Sequence, residues 1–193
     1  MLEEVIVKDG KLYWEENFIP HDVALNYFDY FLKFLKWQQT NITIFGKTHK
    51  TPRKEAYFAD KGMSYGYSGK QLTIQPWDKK VQELKNKIEE VSNQEFNACL
   101  VNLYEDGNHS NGWHADDEKE LGKNPIIASL SLGTTRKFDL KHKHSGIKKR
   151  FYLNNGSLLI MGEGIQHNWK HQIPKETKVL TPRINLTFRK IVG

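Results

Sequence analysis

Two apolar stripes at helical spacing open the chain. In PHDVALNYFDYFLKFLKW (20–37), Ala24, Tyr27, Phe28, Phe31, Leu32 and Leu35 recur three and four apart, which predicts a core-facing helix with Asp22 as its cap. VQELKNKIEEVS (81–92) repeats the pattern with Val81, Leu84, Ile88 and Val91. From residue 96 the period changes to two. FNACLVNLY, IIASLSL (126–132), RKFDL, RFYL, GSLLIM (156–161) and RINLTFR (183–189) read as strands separated by Gly, Asn, Pro and charged loops. Helices first and many short strands after them predict an α+β fold built around a β-sandwich or barrel. Helical segments do not alternate with these strands, which argues against a doubly wound sheet. No repeat, low-complexity tract or Pro/Ser-rich linker divides the sequence, so 1–193 is expected to be a single domain. Within it, 1–40 forms an N-terminal extension and helix, 41–95 an irregular region and a second helix, and 96–193 the β core.

Composition narrows the class. At 38% hydrophobic and 27% charged residues, wholesale disorder is excluded. No apolar run approaches the ~18–20 residues that cross a bilayer. The start, MLEEVIVKDGKLYWEENF, is acidic and mixed and does not read as a secretory signal. One cysteine, Cys99, excludes a disulfide framework and a Cys-rich zinc module, and its apolar neighbours predict a buried, inert thiol. The expected setting is intracellular, cytoplasmic in a bacterium or nuclear in a eukaryote, and the expected state a monomer.

The net charge of +6 matters through its location. RKFDLKHKHSGIKKR (136–150) sets seven cations, Arg136 to Arg150, against Asp139, so this stretch alone carries +6. Such a patch suits a phosphate backbone; the alternative is a solvated hairpin loop. Between the helices, 41–70 interleaves Phe45, Tyr57, Phe58, Tyr65 and Tyr67 with Lys47, Lys50, Arg53, Lys54, Lys61 and Lys70. Rings among cations can stack bases and hold phosphates, whereas the plainer reading is an ordinarily packed lid.

Candidate chemistry begins in GWHADDE (112–118). In extended backbone His114 and Asp116 share a face, ~7 Å apart at Cα, and can converge on one metal. A histidine from another strand would complete a facial triad of the type used by non-haem Fe(II). His167 and His171 both qualify, and four-residue spacing on a strand cannot separate them. In RINLTFR, Arg183, Asn185, Thr187 and Arg189 share one face and Ile184, Leu186 and Phe188 the other. A polar face with two guanidiniums needs an anionic partner if it points inward and none if it faces solvent. Asn102 and Tyr104 form a similar same-face pair.

HADD, the W-x-H-x-I-P run (Trp169 to Pro174) that contains His171, and PRINLTFR, with PRKEAYFAD, YGYSG, NLYEDGNHSNGWHADDE and PIIASLSLG in order between 42 and 190, together resemble the AlkB family of Fe(II)/2-oxoglutarate dioxygenases. The likeness is strongest to members that repair alkylated DNA in animals and plants. It implies a double-stranded β-helix, or jelly roll, with N-terminal helices and a nucleotide-recognition lid before the barrel. It implies Fe(II) on His114, Asp116 and His171, with 2-oxoglutarate and O2 as cosubstrates. It assigns the 2-oxoglutarate pocket to Asn102, Tyr104, Arg183, Asn185 and Arg189, with Arg183 at the distal carboxylate and Arg189 nearer the metal. Substrate contacts fall on Phe45 as a finger, Arg53 and Lys54 near the vacated gap, Tyr65, Tyr67 and Ser68 around the flipped base, and Glu118 near the base edge. The implied partner is alkylated DNA, with no membrane, and the implied reaction is oxidative demethylation of 1-methyladenine and 3-methylcytosine with release of formaldehyde. The alternatives are an RNA demethylase of the same family and a non-catalytic nucleic-acid-binding jelly roll.

Overall fold

A computed structural model describes residues 2–44, 47–62, 66–67, 70–71 and 73–192. In chain order its strands and helices are β1 (Glu3–Glu4), β2 (Leu12–Glu15), α1 (His21–Phe34), β3 (Asn41–Ile44), β4 (Lys47–Lys50), β5 (Lys54–Ala59), β6 (Gly66–Tyr67), β7 (Lys70–Gln71), β8 (Ile74–Gln75) and α2 (Lys79–Ser92). There follow β9 (Ala98–Tyr104), β10 (Asn111–His114), β11 (Ile127–Gly133), β12 (Arg136–His142), β13 (Lys148–Leu153), β14 (Leu158–Met161), α3 (Ile165–Asn168), β15 (Trp169–Ile173) and β16 (Arg183–Arg189).

Among the described residues, eight strands form one sheet in the order β1-β2-β14-β11-β16-β9-β5-β8, and β10-β15-β12-β13 form a second. Two cores follow. On one face of the large sheet, Ala24, Tyr27 and Phe31 of α1 and Val81, Leu84 and Ile88 of α2 pack on Val101, Leu130, Leu186 and Phe188. On the other, Leu100, Tyr104 and Met161 meet Phe138, Leu140, Trp169 and Ile173 of the small sheet. Each such side chain, fully buried, contributes ~1.5–3 kcal/mol. The protein is therefore a jelly roll with a helical layer on one side, and the interior between the sheets is where a site can form.

Local chemistry corrects several expectations. Pro20, not Asp22, occupies the cap of α1, without a side-chain bond; Asp22 lies in the first turn, where its charge suits the helix dipole. The apolar arc of α1 is wider than the core it meets, so Leu32 stays 39% exposed, and Val91 on α2 46%. Asp78 caps α2 by accepting from Lys80 N and Val81 N at 2.9 and 3.2 Å. The N-terminal stretch is more than an extension: β2 pairs with β14 inside the large sheet. Nor is 41–95 all lid. β5 is a strand of the large sheet beside β9, with Tyr57 and Phe58 buried in opposite cores. A strand buried on both faces shows no polar alternation, which is why KEAYFA does not read as one. Three further strands, β10, β15 and β2, are short and irregular in pattern, and two of them carry the site.

The basic stretch 136–150 is a hairpin of two paired strands with a short turn, and much of its charge is already engaged. Arg136 is 1% exposed; it donates to Glu176 Oε2, to the carbonyls of Asp106, His109 and Pro174, and lies over the ring of Tyr104. Arg150 pairs with Asp139, Lys137 with Glu176 and Lys143 with Asp117.

Candidate metal and dicarboxylate site

Register puts the ligands together. His114 at the end of β10 is the cross-strand partner of His171 on β15, and their ring centroids are 4.2 Å apart. Asp116, two residues past the strand, brings Oδ1 to 3.6 Å from His114 Nε2. One ligand atom from each of His114, Asp116 and His171 falls within 4.8 Å of the others, close enough to share one divalent cation. His167 does not join them. It lies on the exposed side of α3, and the helical turn before β15 breaks the strand spacing that made the two histidines look equivalent.

Three hydrogen bonds and one ring contact orient the triad. The Nδ1–H of His114 can donate to the Gly112 carbonyl at 2.7 Å, which leaves Nε2 as the electron-pair donor. Arg189 Nη2 donates to Asp116 Oδ2 at 2.7 Å. The buried amide of Gln166 accepts from Asp116 N at 3.0 Å. His171 stacks on Phe138 at 5.3 Å. Burial drives the His171 pKa down to about 3, aided by neighbouring His114, so its ring is neutral and keeps a nitrogen lone pair for a metal. Burial pushes the Asp116 carboxyl up, but Arg189 and the two imidazoles outweigh it and hold it far below the usual range. Asp116 Oδ1 and His171 Nδ1 are buried with no hydrogen-bond partner among the described residues, as a site built for a cation leaves them.

The large sheet supplies the anion end. Arg183 is registered on Tyr104, Asn185 on Asn102 and Ser131, and Thr187 on Ser129. All these polar side chains face the interior. Arg183 Nη2 donates to Ser131 Oγ at 2.9 Å, and Asn185 Nδ2 to Ser129 Oγ at 2.9 Å. The Arg183 guanidinium lies 5.4 Å from the Tyr104 ring, and its Nε and Nη1 are buried with no hydrogen-bond partner among the described residues. Burial brings its pKa down to about 10, so the charge persists at neutral pH and requires an anion. The residues thus fit a metal at one end and a carboxylate at the other. The same cavity is lined by Asn102, Tyr104, His114, Asp116, His171, Arg183, Asn185 and Arg189, so every metal and dicarboxylate position expected from the sequence is brought together.

The expected substrate residues divide. Phe45, Tyr65 and Ser68 lie outside the described residues, and Tyr67 is placed only as a position on β6. Lys54 pairs with Glu105 near the surface at 2.8 Å. Glu118 precedes a 3-10 turn at Lys119–Leu121 and does not line the cavity. Arg53, expected at a DNA gap, instead is 5% exposed and lines the cavity; it donates to Asn102 Oδ1 at 2.9 Å and Asn111 Oδ1 at 3.3 Å and pairs with Glu55. The sequence reading missed Gln166, Asn111, Ser129 and Ser131. The serines had a signal: two hydroxyls at i, i+2 inside the apolar run IIASLSL.

Comparison with known proteins agrees with this geometry. The family model of the 2OG-Fe(II) oxygenase superfamily matches residues 11–189. The DNA oxidative demethylase ALKBH2 of Mus musculus is 42% identical over 159 residues, covering 78% of this chain and 66% of that protein. The alpha-ketoglutarate-dependent dioxygenase alkB homolog 3 of Bos taurus is 36% identical over 187 residues, covering 91% of this chain and 64% of that protein. The matched region thus spans just under two thirds of these relatives. The solved structure of OsALKBH1 superposes with a TM-score of 0.67 at 19% identity, covering 97% of this chain and all of that one, a likeness of fold.

Proposed function

Since the chain belongs to the 2OG-Fe(II) oxygenase superfamily, and within it to the AlkB family, we propose that it is a DNA repair dioxygenase that oxidatively removes methyl groups from ring nitrogens of damaged bases. The observation that carries this reading is the convergence, in one cavity, of a buried His-Asp-His triad with an unneutralised guanidinium. Two sets of relatives bear names of DNA demethylation and alpha-ketoglutarate-dependent oxidation, which supports the substrate class.

In this reading His114, Asp116 and His171 hold Fe(II). Arg183 binds the distal carboxylate of 2-oxoglutarate, with Tyr104, Asn102 and Asn185 beside it. When bound with O2, the metal and cosubstrate would supply the oxidation that hydroxylates the N-methyl carbon, 2-oxoglutarate leaving as succinate and carbon dioxide; the N–CH2OH bond would then break, formaldehyde and a proton would leave, and the ring nitrogen would regain its lone pair. The chain's own contribution is placement. Arg189 keeps Asp116 ionised and aimed, the Gly112 carbonyl fixes the His114 tautomer, and the buried walls exclude water. Bases methylated on the pairing edge pair weakly, so extruding them into such a cavity costs less than extruding a normal base.

The test is formaldehyde release from oligonucleotides carrying 1-methyladenine or 3-methylcytosine, as single-stranded DNA, duplex DNA and RNA, with and without 2-oxoglutarate. Release that needs 2-oxoglutarate and favours DNA is expected, lost in His171→Ala and retained in His167→Ala. Preferred release from RNA would move the substrate assignment, and equal loss in the two histidine variants would sink the triad.

A further inference from the structure

An amide stands at the edge of the triad with no role assigned so far. Asn111 and His114 are three residues apart on β10, so a regular strand would send them to opposite faces. The pairing of β10 with β15 shifts register between them. Both side chains therefore line the cavity, while Trp113 is turned outward and is 41% exposed. Asn111 Nδ2 lies 3.2 Å from His114 Nε2.

Donors and acceptors fix the orientation of every group in this contact. The Gly112 carbonyl can only accept, so His114 Nδ1 carries the proton and Nε2 offers a lone pair. Arg53 can only donate. Its Nη1 reaches Asn111 Oδ1 at 3.3 Å and its Nε reaches Asn102 Oδ1 at 2.9 Å. Both amides thus show the guanidinium their oxygen and turn their NH2 groups elsewhere. For Asn111 that means an N–H donated to His114 Nε2. The Arg53 charge is met by buried Glu55, whose Oε1 lies 3.0 Å from Nη2, and Thr40 Oγ1 donates to Glu55 Oε2 at 3.2 Å. Paired in this way, Arg53 is suited to aiming amides.

The Nε2 lone pair is the one a metal would use, and it serves one partner at a time. A cation on Nε2, at ~2.1 Å, displaces the Asn111 N–H. Arg53 still anchors the amide oxygen, so the side chain cannot swing away. The released N–H then lies within ~5 Å of the cation, in reach of an oxygen bound on its open side. A donor left in a cavity without an acceptor is costly, which favours a ligand that supplies one.

We propose that Asn111 is a metal-switched hydrogen-bond donor. With a cation on His114 it donates to the keto-acid end of 2-oxoglutarate; without one it caps the His114 lone pair. The same amide opposes metal binding and favours cosubstrate binding, and these opposite signs separate it from a packing residue. The inference rests on the dioxygenase reading above and is measured without turnover.

The experiment is calorimetric titration of Mn(II), and then of 2-oxoglutarate, into wild type, Asn111→Leu and Asn111→Ala. Without the N–H, Mn(II) should bind about 2–10-fold tighter, since it no longer breaks a hydrogen bond. On Mn(II)-loaded protein, 2-oxoglutarate should bind about tenfold more weakly, as for a lost bond to a charged group. With metal chelated away, wild type and variants should bind 2-oxoglutarate alike. Arg53→Lys combined with Asn111→Leu should weaken 2-oxoglutarate binding by less than their separate effects predict, because one acts through the other. Strict additivity would overturn the anchoring by Arg53. Asn111→Ala adds neither bulk nor charge and carries the test where Asn111→Leu fails to fold. Metal and cosubstrate affinities that fall together would make Asn111 a packing residue and overturn the proposal. So would an unchanged 2-oxoglutarate affinity on loaded protein, or an equal loss after chelation. Wild-type protein that shows the expected differences from its variants yet releases no formaldehyde would count against the dealkylation reading alone.

Discussion

Gln166 shows how much of a metal site lies in residues that carry no charge. Its side chain is 1% exposed, accepts from the Asp116 N–H at 3.0 Å, and points its amide nitrogen at Met161 Sδ, 3.5 Å away. That bond fixes the backbone of a ligand that has already left its strand, so α3 positions the Asp116 backbone while Arg189 of β16 holds its carboxylate. Outer partners of this kind are typically worth ~10–100-fold in metal affinity or activity. Gln166→Leu, close in size but unable to accept, should weaken Fe(II) binding within that range while folding is retained. Gln166→Glu, which keeps the acceptor, should recover part of it. Titration of the apoprotein with Fe(II) or Mn(II) reads both, and an unchanged affinity in Gln166→Leu would mean that Arg189 alone sets the carboxylate. At this scale HxD made His114 and Asp116 legible and narrowed the third ligand to His167 or His171, the choice of His171 resting on the family resemblance. Gln166 was not, since an amide two residues from a turn signals nothing until the fold brings it to Asp116.

Strand and loop placement explains which side of the sequence reading succeeded. The six strands read from period-two patterning are all present, and the polar face of β16 points inward because Ile184, Leu186 and Phe188 claim the helical side. Of the elements missed, the two that carry the site, β10 and β15, are short and joined to a helical turn or a bulge, so no clean period marks them. The charge of 136–150 was legible as a total but not residue by residue: composition cannot say that Arg136 is buried as a clasp while Lys141 and Lys148 stay exposed. Arg136 ties β12 to the loops at Asp106, His109 and Pro174, and Gly107 lets the 174–179 loop come so close that a Cβ there would sit 1.8 Å from the Glu176 carbonyl oxygen. Burial pushes the Glu176 carboxyl up, but the Lys137 N–H, Arg136 and the Lys137 ammonium more than offset this and hold it below the ordinary value of 4.5. A carboxyl depressed in the folded state contributes stability that is present above the unfolded pKa and lost as pH falls through the folded one. Glu176→Gln should therefore cost ~3 kcal/mol near neutral pH, by leaving a buried guanidinium without its counter-charge. It should also remove part of the acid sensitivity seen in wild type below about pH 4.5. Urea unfolding at pH 7 and pH 4 checks both, and a difference between variant and wild type that stays constant with pH would show that the pair contributes no charge energy.

Across the molecule, the cavity is an interface between layers. His114 and His171 come from the small sheet, Arg183, Asn185, Asn102 and Tyr104 from the large one, and the Arg189–Asp116 pair bridges them. A metal and a dicarboxylate bound there would cross-link the two sheets, so their binding should appear in global stability and not only in turnover. A ligand that binds the folded state alone stabilises by ~2.7 kcal/mol at a hundred times its Kd. For a chain of this size, ~2–4 °C per kcal/mol makes that a rise of about 5–11 °C in Tm. Mn(II), which lacks the iron's turnover, should raise Tm by itself, and 2-oxoglutarate should add a second increment only when metal is present, because its keto-acid end needs the cation. Arg183→Ala should keep the metal increment and lose the second one, while Asp116→Ala should lose both. Differential scanning calorimetry on the four combinations separates these outcomes. A full 2-oxoglutarate increment in Arg183→Ala would place the distal carboxylate elsewhere, and one that appears without metal would mean that the anion end of the cavity binds independently of the triad.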